Sequence, residues 1–170
     1  MNAHPTAFVD HLRLMARYNA WQNASLVAAA DTLSDDDRWR ARGAFFGSVA
    51  GTFNHVLWDD ALWLARFAGD VWPELSVPVS LEAPRDWEAF KALRVARDAE
   101  VSAWAASLVA ADLQRVIAWY PGGGDVRVEK PAAVCFAHLF NHQTHHRGQV
   151  HGMLTAAGAV PGPTDLPMLG

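Results

Sequence analysis

Between Cys135 and Gln149 the chain reads Cys-Phe-Ala-His-Leu-Phe-Asn-His-Gln-Thr-His-His-Arg-Gly-Gln, and four of its eight histidines fall within nine residues of that run. On a helix, residues three and four apart share a face, so Cys135, His138, His142, His146 and Gln149 stack along one stripe, with His145 at its border. Leu139, Phe140, Val150, Met153 and Leu154 lie beside the stripe, which is the pattern of a helix packed into a core. A solvated face would carry Lys and Glu, and this one has neither. Buried imidazoles need a partner for each ring nitrogen, and a divalent metal satisfies two or three at once. A single histidine on an apolar face reads more simply as a hydrogen-bonded core residue; four together, with an i,i+4 pair, point to metal. The familiar His-Glu-x-x-His peptidase motif is absent, because Gln143 follows His142 and an amide cannot act as the general base.

A second polar line runs through Ser48, Thr52, His55 and Asp59, each three or four residues from the last. Taken alone it is the wet face of a helix. Its members are short groups rather than long solvated ones, which also suits side chains that support a bound ion. Arg147 is a candidate for holding an anionic substrate or for a surface salt bridge. Cys135 reads as core, or as a further ligand.

These residues need elements to carry them. Thr6 to Thr32 has Phe8, Leu12 and Met15 on one stripe and no internal Gly or Pro, predicting a long helix in which Asn19 and Gln22 turn two amides inward. Leu33 to Arg42 is a polar connection with a turn or short helical start, where Arg38, Arg40 and Arg42 sit beside Asp35, Asp36 and Asp37 as a solvated loop. A second helix is expected from Phe45 to Phe67. Gly69 to Pro84, with Pro73 and Pro78, is a long linker of the kind that serves as a lid. A third helix, capped by Asp86, runs from Trp87 to Leu113, with Phe90, Leu93, Val101, Trp104 and Leu108 inward and Lys91, Arg94, Arg97, Asp98 and Glu100 mostly outward. Val116 to Tyr120 and Val126 to Val128 flank a Gly-rich turn, a β-hairpin signal rather than a phosphate loop. Pro131 opens the fourth helix, which ends near Gly158. The economical arrangement is all-α, a four-helix bundle with a short β-hairpin between helices 3 and 4 and room for a crossover connection.

A chain of 170 residues forms one domain, here taken as 1–170, that buries roughly 70% of its unfolded surface without staples. Hydrophobic residues at 51% and charged residues at 19% place it among ordinary globular proteins. Eight Trp are many for this length and suit a pocket or an oligomer interface. The net charge of -4, without a Lys/Arg cluster, argues against nucleic acid as a partner. One cysteine suits a cytoplasmic location, and no apolar window marks a leader or membrane span.

The phrases Tyr18-Asn-Ala-Trp21-Gln-Asn23, Phe45-Phe-Gly-Ser-Val-Ala-Gly-Thr-Phe-Asn-His55 and His142-Gln-Thr-His-His146-Arg-Gly-Gln149 resemble the DinB family, the DinB/YfiT-like metalloenzymes, across nearly the whole chain. The resemblance implies an up-down-down-up bundle, a homodimer, and a divalent metal on three histidines, here His55, His142 and His146. It makes His138, His145 and Gln149 surrounding residues and takes His55 off the wet face. Family members of known activity include S-transferases and isomerases that use a low-molecular-weight thiol such as mycothiol, bacillithiol or glutathione. The implied function is metal activation of such a thiol, or of water, for attack on a small electrophile. Three imidazoles leave a coordination position open, as catalytic sites do, and suit Zn or Ni foremost, with Fe and Mn as further choices. Asp59 could orient His55, hydrogen-bond the bound water or act as a base. The rival reading is a non-catalytic metal-binding dimer with a structural or stress-response role, in which Cys135 or His138 closes the coordination shell.

Overall fold

The computed structural model describes residues 5–69, 84–121 and 124–170. The expected linker between Gly69 and Pro84, with its lid reading, lies outside the described residues, as do Gly122 and Gly123 of the hairpin turn.

Helix α1 (Pro5–Ala30) buries Val9, Leu12, Ala16 and Leu26, and the amides of Asn19 and Gln22 do point inward. The short α2 (Asp35–Trp39) starts at Ser34, whose hydroxyl accepts the Asp37 N–H at 3.1 Å. Helix α3 (Val49–Ala68) starts four residues later than the apolar pattern suggests. Gly47, at φ +76°, turns the chain, and the Ser48 hydroxyl caps the Gly51 N–H at 3.0 Å, leaving Phe45 and Phe46 in the preceding loop.

Helix α4 (Trp87–Ser107) is capped by Asp86, which accepts the Ala89 N–H at 2.7 Å. It stops short of the expected Leu113 because Leu108 is extended and a 3₁₀ turn (Ala110–Gln114) follows, held by the Asp112 carboxylate on the Val109 N–H at 2.9 Å. Strands β1 (Val116–Trp119) and β2 (Val128–Pro131) pair antiparallel, with Val116 opposite Pro131. The second strand therefore lies two residues beyond the expected one. Pro131 closes it, and α5 (Ala132–Ala156) begins one residue later.

Pairings along the helices give their directions. Arg13 reaches the Leu108 carbonyl while Asp31 meets Trp87, so α1 and α4 are antiparallel. Val9 and Leu12 share a cluster with Phe136 and Leu139, and Leu26 one with Leu154, so α1 and α5 are parallel. Phe67 packs on Phe136 and His55 on His146, which makes α3 and α5 antiparallel. Phe53 on Phe90 and Phe67 on Trp104 make α3 and α4 parallel. The bundle is up-down-down-up, with α1 and α3 both packed between α4 and α5 and so across from each other.

Its core is two apolar clusters, one around Phe136, Leu139 and Trp63 and one around Phe53, Phe90 and Leu154. Each buried Leu or Phe contributes about 1.5–3 kcal/mol. Facings expected on α4, inward as well as outward, need correction. Leu93 is exposed, whereas Arg94 is only 2% exposed and Asp98 faces inward beside it. An arginine is normally solvated, but here carboxylates from two helices meet its charge. Among the described residues no helix is long and apolar enough to cross a membrane.

Candidate metal centre

The Ser48 cap sets where α3 begins, and so places His55 two turns in, facing α5. On α5, His142 and His146 stand one turn apart and face back. The His55 Nε2 lies 3.2 Å from the His142 Nε2, which lies 3.0 Å from the His146 Nε2. A tetrahedral ion with metal–nitrogen bonds of about 2.0–2.1 Å separates its ligand nitrogens by about 3.3 Å, so the three rings fit such an ion with little adjustment. They do not satisfy one another, since three convergent ring nitrogens cannot all be paired by N–H bonds among themselves. Among the described residues these three side chains form the only group of three or more potential ligands brought together. Neither Cys135 nor His138 joins them, so the protein supplies three nitrogens and no fourth donor among those residues.

Of the three outer ring nitrogens, only that of His146 has a hydrogen-bond partner that sets its tautomer. The His146 Nδ1 lies 2.8 Å from the Gln149 Oε1, and since that oxygen only accepts, the proton sits on Nδ1 and the Nε2 lone pair is free for a cation. The His142 Nδ1 lies 3.1 Å from the Asp59 Oδ2, close enough for an ion pair but without hydrogen-bond geometry. The His55 ring is stacked on Phe46 at 3.8 Å between centroids.

Burial lowers the His55 pKa to about 4, with the His146 charge adding to the effect. Burial and then the neighbouring imidazoles take His142 to about 3. His146 is lowered as well, chiefly by burial, against the pull of Gln149. All three are therefore neutral ligands near pH 7. Burial and the adjacent Asp60 push Asp59 up to about 7, and Arg66 and an indole hydrogen bond from Trp63 only partly oppose them.

The polar line of α3 is not a wet face. Ser48, Thr52, His55 and Asp59 are all under 9% exposed, and the Thr52 hydroxyl bonds back to the Ser48 carbonyl. Asp59 has several roles open to it, and its place beside His142 rather than His55 follows from successive helical turns aiming 55 and 59 at different levels of α5. His138 is exposed, with its ring on Trp63 at 4.9 Å and on His142 at 5.5 Å. His145 is exposed and lies 3.2 Å from the Gln149 amide nitrogen. Cys135 is buried in the apolar cluster of Phe136 and Leu139. Among the described residues Arg147 forms no surface salt bridge; it is buried and donates to Asn19, Gln143 and Thr144. Phe46, which packs on both His55 and His146, escapes sequence reasoning because its apolar character suits the helix stripe that the chain does not form there.

A family model described as the DinB family matches residues 3–169. A crystal structure of a DinB-like protein from Bacillus cereus ATCC 10987 superposes with a TM-score of 0.61 at 20% identity, covering 86% of this chain and 90% of that one, a likeness of fold. A search of curated proteins finds no match.

Proposed function

The chain belongs to the DinB family, and from that membership and its three convergent imidazoles we propose that it is a metal-dependent enzyme that activates a low-molecular-weight thiol or water for attack on a small electrophile. The observation that carries the reading is the meeting of the His55, His142 and His146 Nε2 atoms from two antiparallel helices, with no fourth protein donor among the described residues. A divalent cation held there, Zn or Ni before Fe or Mn, supplies Lewis acidity that favours the deprotonated form of a thiol or water. The chain's own residues do the rest. Gln149 holds the His146 ring in the tautomer that presents Nε2, Asp59 stands 3.1 Å from the His142 Nδ1, and Phe46 keeps bulk water from one side of His55. Asp59, buried, poised near neutrality and beside His142, is also a carboxylate able to take up a proton released at the site. The same reading makes the protein a homodimer acting on a small molecule.

Metal analysis of purified wild type, His55→Ala and His142→Ala tests the site. One equivalent of divalent metal is expected in wild type and a large loss in each variant. Stoichiometric metal retained in both variants would sink the three-histidine assignment. Thiols screened against electrophiles then test the reaction: metal-dependent consumption of a thiol or electrophile supports it. A metal-loaded protein that binds neither favours the non-catalytic reading.

A further inference from the structure

One residue further along both helices from the candidate site lies a buried polar ring that the proposed chemistry does not use. Asp59 and Asp60 are consecutive on α3, as His142 and Gln143 are on α5. Asp59 meets His142, and beside that contact the Gln143 Nε2 donates to the Asp60 Oδ1 at 2.5 Å. The Asp60 Oδ2 pairs with the Arg94 Nη1 at 2.7 Å, and the Arg94 Nη2 bonds the Asp98 Oδ1 at 2.9 Å. Asn23 of α1 donates to the same Asp98 oxygen at 2.8 Å. Asn23 closes the circuit by donating also to the Gln143 Oε1 at 3.5 Å, and Arg147 donates to the same oxygen at 3.0 Å and to Asn19 of α1. All four long helices meet in this layer. Gln143 and Asp60 are both 0% exposed and Arg94 is 2% exposed.

Such a ring is a poor device for stability alone, because well-packed apolar side chains of the same volume often do as well as buried ion pairs. What it supplies is register. The Gln143 amide donates on one side, to Asp60, and accepts on the other, from Arg147. A rotation or slip of α5 would strand a carboxylate and a guanidinium without partners in the core, which is far costlier than losing an exposed contact. Because Gln143 follows His142 and Arg147 follows His146, the restraint that holds these two residues also fixes where the imidazoles point. A glutamate at 143 would set a carboxylate against the Asp60 oxygen, which gives a physical reason for Gln in place of the peptidase Glu.

The geometry points to Gln143 as a positioning residue for the metal centre, locking α5 against α3 so that His142 and His146 meet His55. This inference rests on the proposed three-histidine site. Its test is Co(II) binding to wild type, Gln143→Met, Asp98→Asn and Leu26→Ala, reading affinity by chelator competition, coordination geometry by the visible absorption of Co(II), and thermal stability of the metal-free forms. Leu26→Ala truncates the apolar cluster away from the ring and controls for general destabilisation. Gln143→Met is expected to weaken Co(II) binding by about tenfold or more and to alter its spectrum. Asp98→Asn, which weakens the link through Arg94 and Asn23 between α4 and α1 without touching a neighbour of a ligand, is expected to do the same to a smaller extent. Leu26→Ala is expected to lower the melting temperature while leaving both metal readouts unchanged. Wild type that binds no Co(II) would overturn the metal reading itself. Wild-type affinity and spectrum in Gln143→Met would overturn only the positioning role, as would a matching loss in Leu26→Ala. Should Gln143→Met not fold, Asp98→Asn decides alone, and unchanged metal readouts there overturn the role.

Discussion

Asp59 is the residue at which metal binding and folding pull in opposite directions. Its carboxyl is held up at about 7 by burial and by Asp60, whereas in an unfolded chain it titrates near about 3.9. Between those values the metal-free fold retains a proton that the unfolded chain has lost. Its contribution to stability is therefore present at low pH and lost as pH rises through that window. An amide at this position has no such term, because it does not titrate. The thermal midpoint of metal-free Asp59→Asn, measured against wild type, should climb from about pH 4 to about pH 7 and then level off; a flat difference would show that Asp59 is not held protonated. With metal bound the sign reverses, because a ligated imidazole donates its Nδ1 proton best to a carboxylate. The same substitution should then weaken metal binding by about 10–100-fold in chelator competition. The identity of Asp59 as a polar neighbour of the site is legible from its place one turn beyond His55, but its partner is not, since spacing along one helix says nothing about the level of the facing one.

Among the elements, the loop before α3 holds more of the site than its sequence suggests. Gly51 sits in the first turn of α3, and a Cβ there would come within 2.6 Å of the Phe46 carbonyl oxygen. That carbonyl accepts the Ser48 N–H, and the Phe46 ring covers His55. Gly51→Ala must push the loop outward, with a stability loss of about 1–3 kcal/mol. It should lower the melting temperature and also weaken metal retention, because Phe46 moves with the loop. A melt shifted with metal affinity intact would show that the aromatic cover does not matter to the ligands. The same loop explains where sequence reading failed. Apolar periodicity continues through Phe45 and Phe46, while the helix start is decided by Gly47 in its left-handed conformation and by the Ser48 hydroxyl. The end of α4 failed similarly, where the Asp112 carboxylate stabilises a new turn within an apolar run. The middles of the four long helices were legible because burying a stripe is a period of many residues, whereas a single side-chain bond can move an end.

At the scale of the molecule, the charges of α4 show what one helix's pattern cannot. Arg94 and Asp98 read as solvated until α3 contributes Asp60, because neutralisation across helices has no period in the sequence. The bundle thus consists of two apolar clusters with a neutral-on-balance polar layer between them, and the clusters give the same α3/α5 direction as the imidazole contact, with Phe67 beside Phe136 in one and Phe53 beside Leu154 in the other. On the proposed reading the ion would therefore bind a fold whose apolar clusters do not depend on it, in contrast to small domains that are unfolded without their ion. Removing it should leave the far-ultraviolet dichroism of the helices intact and lower the melting temperature by the linkage term alone. That term is about 4 kcal/mol when free metal stands at about a thousand times its dissociation constant. For a chain of this length it corresponds to a fall of roughly 8–16 °C. A chelated protein that loses its helical signal at room temperature would instead mark the ion as structural and favour the non-catalytic reading. A folded, metal-free protein that regains its midpoint on adding back one equivalent of metal leaves the ion available for chemistry, since a site whose occupancy the fold does not require can bind and exchange ligands without unfolding.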